Sequence, residues 1–182
     1  EYYSVECNHY EGGYLAGKKL IKKNCKRIVL LTNNKTASSV NSKIQGFKDA
    51  LQKYNIPTYP ELIFRLDVKE GIFEDSLHTI NKIIEDNISF DGIFATNDLR
   101  AHAALVALQN HNIKIPDEVK IVGYDGTSIS KYANPPISTI YQDKKILATK
   151  TSSLLLNLIN EEGINFDKHT VIPVKLIERK TT

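Results

Sequence analysis

FDGIFAT at residues 90–96, followed by NDLRAHAALVALQ at 97–109, decides the fold. The first stretch is a short apolar run of the length and composition of a strand buried on both sides. It stops at two polar residues, and Asp98 stands where a helix N-cap belongs, just ahead of the apolar-rich LRAHAALVALQ. That helix is apolar nearly all round, so it is expected to be buried on more than one side. Working outward, VKIVGY (119–124) and ISTIYQ (137–142) read as further strands, and a helix is expected over 143–160 before a final strand, VIPVKLIE. Upstream, RIVLLT (27–32) and ELIFRL (61–66) are strands, each followed by a helix: Ser39 to Tyr54, and Lys69 to Asn87. A leading helix carries Gly13, Ala16, Gly17, Leu20 and Ile21 on one stripe, whose small residues would let it lie close to a sheet; Lys18, Lys19, Lys22 and Lys23 form its solvated face. Strand and helix alternating in this way predict an α/β fold, a doubly wound parallel sheet with right-handed crossovers and helices on both faces.

Composition narrows the function. The chain has 182 residues with 24 Lys plus Arg against 21 Asp plus Glu, and a formal charge of +3 is too small for a nucleic-acid-binding domain. It contains no methionine, so residues ahead of Glu1 are expected in the native protein. No apolar run approaches the roughly 18 residues of a spanning helix, and EYYSVECNHY lacks the regions of a signal peptide. No membrane association is expected. Two cysteines, Cys7 and Cys25, make no disulfide framework and suit a reducing, cytoplasmic setting.

Ligands of open parallel sheets bind outside the carboxyl ends of the strands. The residues just past each run are Thr32 to Ser39 with Asn41 and Lys43; Arg65 and Asp67; Thr96, Asn97 and Asp98; and Asp125, Thr127 and Ser128. Amides, hydroxyls, carboxylates and one or two cations suit a small polyhydroxylated ligand, because a carboxylate accepts hydroxyl protons and an amide both donates and accepts. Asp98 reads as a cap before a ligand contact, which leaves Asn97 the freer of the two. Asp125 reads equally as a turn former in Asp125-Gly126 and as a ligand carboxylate. No G-x-S-x-G elbow, phosphate-binding P-loop or H-E-x-x-H occurs, and the histidines at 9, 78, 102, 111 and 169 fall in separate elements. Neither catalytic residues, nor a metal site, nor a cofactor is expected. Gly12-Gly13 is better explained by close packing than by a phosphate turn.

In order and spacing, NHYEGGYLAGKKLIKKNCKRIVLLT (8–32), SSVNSKIQGFKDAL (38–51), FDGIFATNDLRAHAALVAL (90–108), IPDEVKIVGYDGTSISKYANPPISTIYQD (115–143) and VIPVKLIERKTT (171–182) resemble the effector-binding core of the LacI/GalR family of bacterial transcription regulators. The resemblance implies a periplasmic-binding-protein-like type I subdomain over 10–140 and 170–182, with the helix 143–160 returning to a largely absent N-terminal subdomain. It also implies a carbohydrate effector, a homodimer, and operator DNA bound only through an N-terminal helix-turn-helix headpiece that this chain lacks. The family's effector contacts fall on Asn97, Asp125 and Lys43, where members usually carry arginine, with Ser39, Asn41 and Leu66 nearby. Leu66 and Lys144 stand where several members place aromatic rings, so neither offers a stacking surface. YDGT resembles sucrose-operon repressors. A dimer contact is implied for His102, Leu105, Val106, Gln109 and Tyr132, and the apolar helix 143–160 is expected to be unusually exposed. The alternatives are a periplasmic or surface sugar receptor, a regulator answering to a phosphoprotein, and, last, an enzyme.

Overall fold

The computed structural model describes residues 2–34, 37–160 and 167–182. Its elements are β1 (Ser4–Cys7), α1 (His9–Lys22), β2 (Ile28–Asn33), α2 (Ser38–Lys53), β3 (Ile63–Leu66), α3 (Ile72–Glu85), β4 (Gly92–Ala95), α4 (Asp98–Asn110), β5 (Lys120–Asp125), α5 (Ser128–Tyr132), β6 (Ser138–Gln142), α6 (Lys144–Ile159), β7 (His169–Ile172) and β8 (Val174–Ile177). Six strands form one sheet in the order β3-β2-β4-β5-β6-β8, parallel except for β6 against β8. Strand order therefore reverses between β2 and β4, and the carboxyl ends of those two strands flank the switch point where open sheets hold ligands.

The sheet separates two apolar layers. Val29, Leu31, Ile93 and Ile121 point into one, with Ile80, Ile83, Ala104 and Leu108 from α3 and α4. Leu30, Phe94, Val122 and Tyr124 point into the other, with Leu20, Ile44, Phe47 and Leu51 from α1 and α2. Alternate residues of one strand thus feed opposite cores, which is why these strands read as unbroken apolar runs.

Four sequence expectations change. VIPVKLIE is not one strand: Pro173, without an N–H to give a ladder, separates β7, parallel to β1 in a ribbon of its own, from β8, which runs antiparallel beside β6. The glycines of α1 also divide their work. The stripe glycines approach a helix rather than the sheet, since a Cβ on Gly13 would overlap the Lys43 carbonyl of α2 and one on Gly17 would crowd Phe47 and Ala50 of the same helix. A Cβ on Gly12, off that stripe, would run into the Tyr124 ring on the sheet. Close packing accounts for Gly12 and Gly13 alike. Lys19 is not part of a solvated face but is buried, its ammonium 2.5 Å from Glu178 of the segment after β8. Finally, Leu105 is 1% exposed within the α3/α4 core, so it packs inside its own subunit and has no surface to offer a dimer partner. By contrast, α6 buries none of its residues, and Leu155, Leu156, Leu158 and Ile159 face solvent, as the sequence leads one to expect. No helix among the described residues is long and apolar enough to cross a membrane.

Cys7 and Cys25 are both free and buried. The Cys25 thiol donates to the Asp91 carbonyl (3.2 Å), and burial, then the Asp91 charge, pushes it up to about 12 from an ordinary 9.0. A raised acid keeps its proton in the fold while the unfolded chain loses it, so its stabilisation is whole below pH 9 and drains away toward pH 12. At about 1.4 kcal/mol per unit this amounts to roughly 4 kcal/mol over the whole window. Urea midpoints taken from pH 8 to 11 should fall more steeply for the wild type than for Cys25→Ala, and parallel curves would contradict the assignment.

Candidate functional site

The carboxyl ends of β2, β4, β5 and β6 form one polar rim. At the end of β2, Thr32 Oγ1 accepts from Thr96 Oγ1 across to β4 (3.3 Å), tying the two sides of the switch point. Beside it the Asn33 Oδ1 is buried without a hydrogen-bond partner, an exception among buried polar groups.

Lys43 reaches this rim from the second turn of α2. Its ammonium donates to the Thr96 carbonyl (3.2 Å) and lies over the Tyr124 ring, 3.9 Å from the centroid. Burial lowers its pKa, and the Asp125 carboxylate and Cys7 work in the opposite direction. Tyr124 is itself fully buried, and its hydroxyl meets His9 Nδ1 at 3.3 Å. Burial and the neighbouring Lys43 charge push His9 down, toward the neutral ring.

Asp125 ends β5 with φ at +105°, a region that residues other than glycine rarely occupy. One carboxylate oxygen, Oδ1, accepts from Gln142 Nε2 at the end of β6 (2.6 Å). Its pKa is raised, first by burial; Lys43 pulls it down, Asp98 pushes it up, and Lys144 and the Gln142 bond pull it down. Strained backbone of this kind persists only where the surroundings hold it, and it gathers at ligand sites.

The adjacent pair at the end of β4 exchanges the expected roles. Asn97, not Asp98, is the N-cap of α4: its Oδ1 accepts from the Arg100 N–H (2.8 Å). Asp98 occupies the first helical position, 1% exposed, and accepts from the Thr127 N–H (2.6 Å), the Thr127 hydroxyl (2.8 Å) and the Thr139 hydroxyl (2.6 Å). The sequence shifted the cap by one residue because either Asn or Asp can cap, and only the depth of the neighbouring turn separates them.

Lys43, Asn97 and Asp125 are therefore brought to one rim, with Asn97 half-buried and capping. Ser39 lies one turn before Lys43 on the same helix face, whereas Asn41, two residues from each, falls off that face and is exposed. Leu66 ends β3 opposite Asn33 and packs on the α3/α4 core. Gln142, Tyr124 and His9 were not singled out by the sequence. Gln142 closes ISTIYQ, so the rule that selected Asp125 would have selected it too. Of the residues at the expected dimer contact, His102 and Val106 are half-buried, Gln109 is exposed and donates to the Asn134 carbonyl (2.7 Å), and Tyr132 is 75% exposed.

The sequence profile of the periplasmic binding protein-like domain matches residues 18–182. The chain is 31% identical over 181 residues to the HTH-type transcriptional repressor PurR of Histophilus somni, covering 97% of this chain and 52% of that protein. It is 32% identical over 178 residues to the HTH-type transcriptional regulator MalR of Clostridium butyricum, covering 98% of this chain and 52% of that protein. It thus spans about half the length of the curated relatives it matches. Among solved structures, a LacI family transcriptional regulator from Enterococcus faecium with bound ribose is 27% identical with a TM-score of 0.86, over 98% of this chain and 64% of the other.

Proposed function

Since the chain belongs to the periplasmic binding protein-like family, we propose that it is the effector-binding portion of a LacI/GalR-type transcriptional repressor, and that its effector is a small carbohydrate held at the carboxyl ends of the parallel strands. Residues 10–140 and 170–182 are read as its C-terminal subdomain, and 143–160 as the helix returning to an N-terminal one. Operator DNA is met by a headpiece outside these residues, the whole acting as a cytoplasmic homodimer whose contact includes His102, Val106, Gln109 and Tyr132.

The observation that carries this reading is the convergence of Lys43, Asn97 and Asp125 at the carboxyl edge of the sheet beside the switch point. Lys43 gives one ammonium proton to the Thr96 carbonyl, Asp125 accepts from Gln142 through one carboxylate oxygen, and the buried Asn33 oxygen has no hydrogen-bond partner, which leaves donor and acceptor capacity at all three residues. Sugar hydroxyls, which donate and accept at one atom, can answer all three. The cation and the carboxylate offset one another, which favours an uncharged ligand over an anionic one. Regulation then follows from differential affinity, the sugar stabilising one placement of the subdomains over another.

A thermal-shift screen against mono- and disaccharides, ribose among them, should give a saturable rise in Tm for at least one sugar. Asp125→Ala should weaken that sugar's binding by about 1–3 kcal/mol, because it leaves ligand hydroxyls unpaired. Asn97→Ala removes a helix cap as well, at about 1 kcal/mol of stability. Asn97→Ser, which keeps a cap, isolates the binding loss. Undiminished sugar titrations in both Asp125→Ala and Asn97→Ser would remove the site.

A further inference from the structure

Asp98 is buried beneath the rim, and its carboxylate is taken up by the loop that follows β5 and by β6. Oδ2 takes both the N–H and the hydroxyl of Thr127 (2.6 and 2.8 Å), and Oδ1 takes the hydroxyl of Thr139 on β6 (2.6 Å). Thr139 Oγ1 in turn accepts from the Gly126 N–H (3.3 Å). The two residues after Asp125 are thus both fastened, directly or through one hydroxyl, to a single buried carboxylate. Space for it is reserved, since a Cβ on Gly123 would stand 2.6 Å from Asp98 Oδ1. Gly126, at φ +67°, could take no side chain either, because its Cβ would meet the Tyr141 ring at 2.5 Å. Asp125 holds its left-handed backbone between these fixed points.

We propose that Asp98 is a positioning residue for Asp125: it does not touch the ligand, but its three hydrogen bonds hold the Asp125-Gly126-Thr127 turn so that the Asp125 carboxylate faces the rim. The assignment rests on the reading of Asp125 as the ligand carboxylate, and it gives the second residue of the Asn97-Asp98 pair a job separate from the first. Charge-assisted bonds suit this work, being shorter and stronger than neutral ones. The negative charge of Asp98 also reaches Asp125 and raises its pKa.

The test needs no sugar. In the intact chain, amide NMR signals of Gly126 and Thr127 and the carboxyl titration of Asp125 are followed in the wild type, Asp98→Asn, Thr139→Val and Thr139→Ser. Asp98→Asn should move both amides away from their wild-type positions and shift the Asp125 titration to lower pH, because a like charge is gone. Thr139→Val, which changes no charge, should move the Gly126 and Thr127 amides, and Thr139→Ser, which restores the hydroxyl, should return them. A purely structural role elsewhere in the fold would alter melting without this residue-specific pattern. Wild-type amide positions in Thr139→Val, or an unmoved Asp125 titration in a folded Asp98→Asn, would overturn the proposal. If Asp98→Asn fails to fold, the Thr139 pair alone decides. Either failure leaves the sugar reading standing, since that is decided by sugar titration of Asp125→Ala.

Discussion

Replacing Gly46 by alanine should destabilise the chain by about 3 kcal/mol or more, a larger cost than most overpacking substitutions. An added Cβ would overlap the Tyr10 carbonyl of α1 and crowd the Tyr14 N–H at 2.9 Å. Both obstacles are backbone, so no side chain can swing aside. The opposing gain from alanine's better helix propensity is about 1 kcal/mol and does not compensate. The partner position repeats the problem from the other side, since a Cβ on Gly13 would overlap the Lys43 carbonyl. Gly13 and Gly46 therefore form the point where α1 and α2 touch backbone to backbone. Lys43 sits one turn before Gly46, so spreading the helices also moves its ammonium off Thr96 and Tyr124. Unfolding of Gly46→Ala should begin some 6–12 °C lower at about 2–4 °C per kcal/mol, with weaker binding of any sugar that shifts the wild type. Gln45→Ala, on an exposed neighbour, should leave the stability within about 0.5 kcal/mol of the wild type. A Gly46→Ala protein as stable as that control would refute the close contact.

The sheet was legible because its strands are buried on both faces, and an unbroken run such as IVLL or GIFA has few other homes. What periodicity could not give was the partner of each face. Gly13 and Gly17 on a helical stripe say that something comes close, but the sequence does not tell a helix from a sheet. The same limit explains Leu105. Its helix, α4, is apolar all round whether the second neighbour is α3 or another subunit, and the structure gives Leu105 to the core. At the rim, reading the strand ends picks out Lys43, Asn97 and Asp125, and the structure brings all three to the carboxyl edge of the sheet. The division of labour between Asn97 and Asp98 was hidden, because it depends on Thr127 and Thr139, which lie 29 and 41 residues from Asp98. Pro173, like Gln142, carries a local signal, since a proline inside an apparent strand argues for a break.

Arg100 shows how costly a charge can be in the wrong layer, and the expected result is that removing it helps. It is 1% exposed between α3 and α4; its Nη1 donates to Ser76 Oγ (2.9 Å), and its Nε is buried with no partner. Burial lowers its pKa, and only the Asp75 charge opposes that. Asp75 itself is committed elsewhere, accepting from the Lys69 N–H (2.9 Å) and the Glu70 N–H (3.4 Å) of the turn before α3. A guanidinium in apolar surroundings with so few acceptors is a case in which an apolar replacement of similar length is neutral or stabilising, by about 1–4 kcal/mol. Arg100→Met should therefore match or exceed the wild type in urea denaturation. Ser76→Ala should do the reverse, losing about 1.5–3 kcal/mol by stranding the charge further. The double variant separates the two explanations. If the penalty of Ser76→Ala belongs to the stranded guanidinium, it should vanish once Arg100 is methionine; if Ser76 matters for packing alone, the penalty persists unchanged. An Arg100→Met chain less stable by several kcal/mol would show instead that the guanidinium, tied through Asp75 to the turn at 69–70, is an anchor for that turn beside the rim.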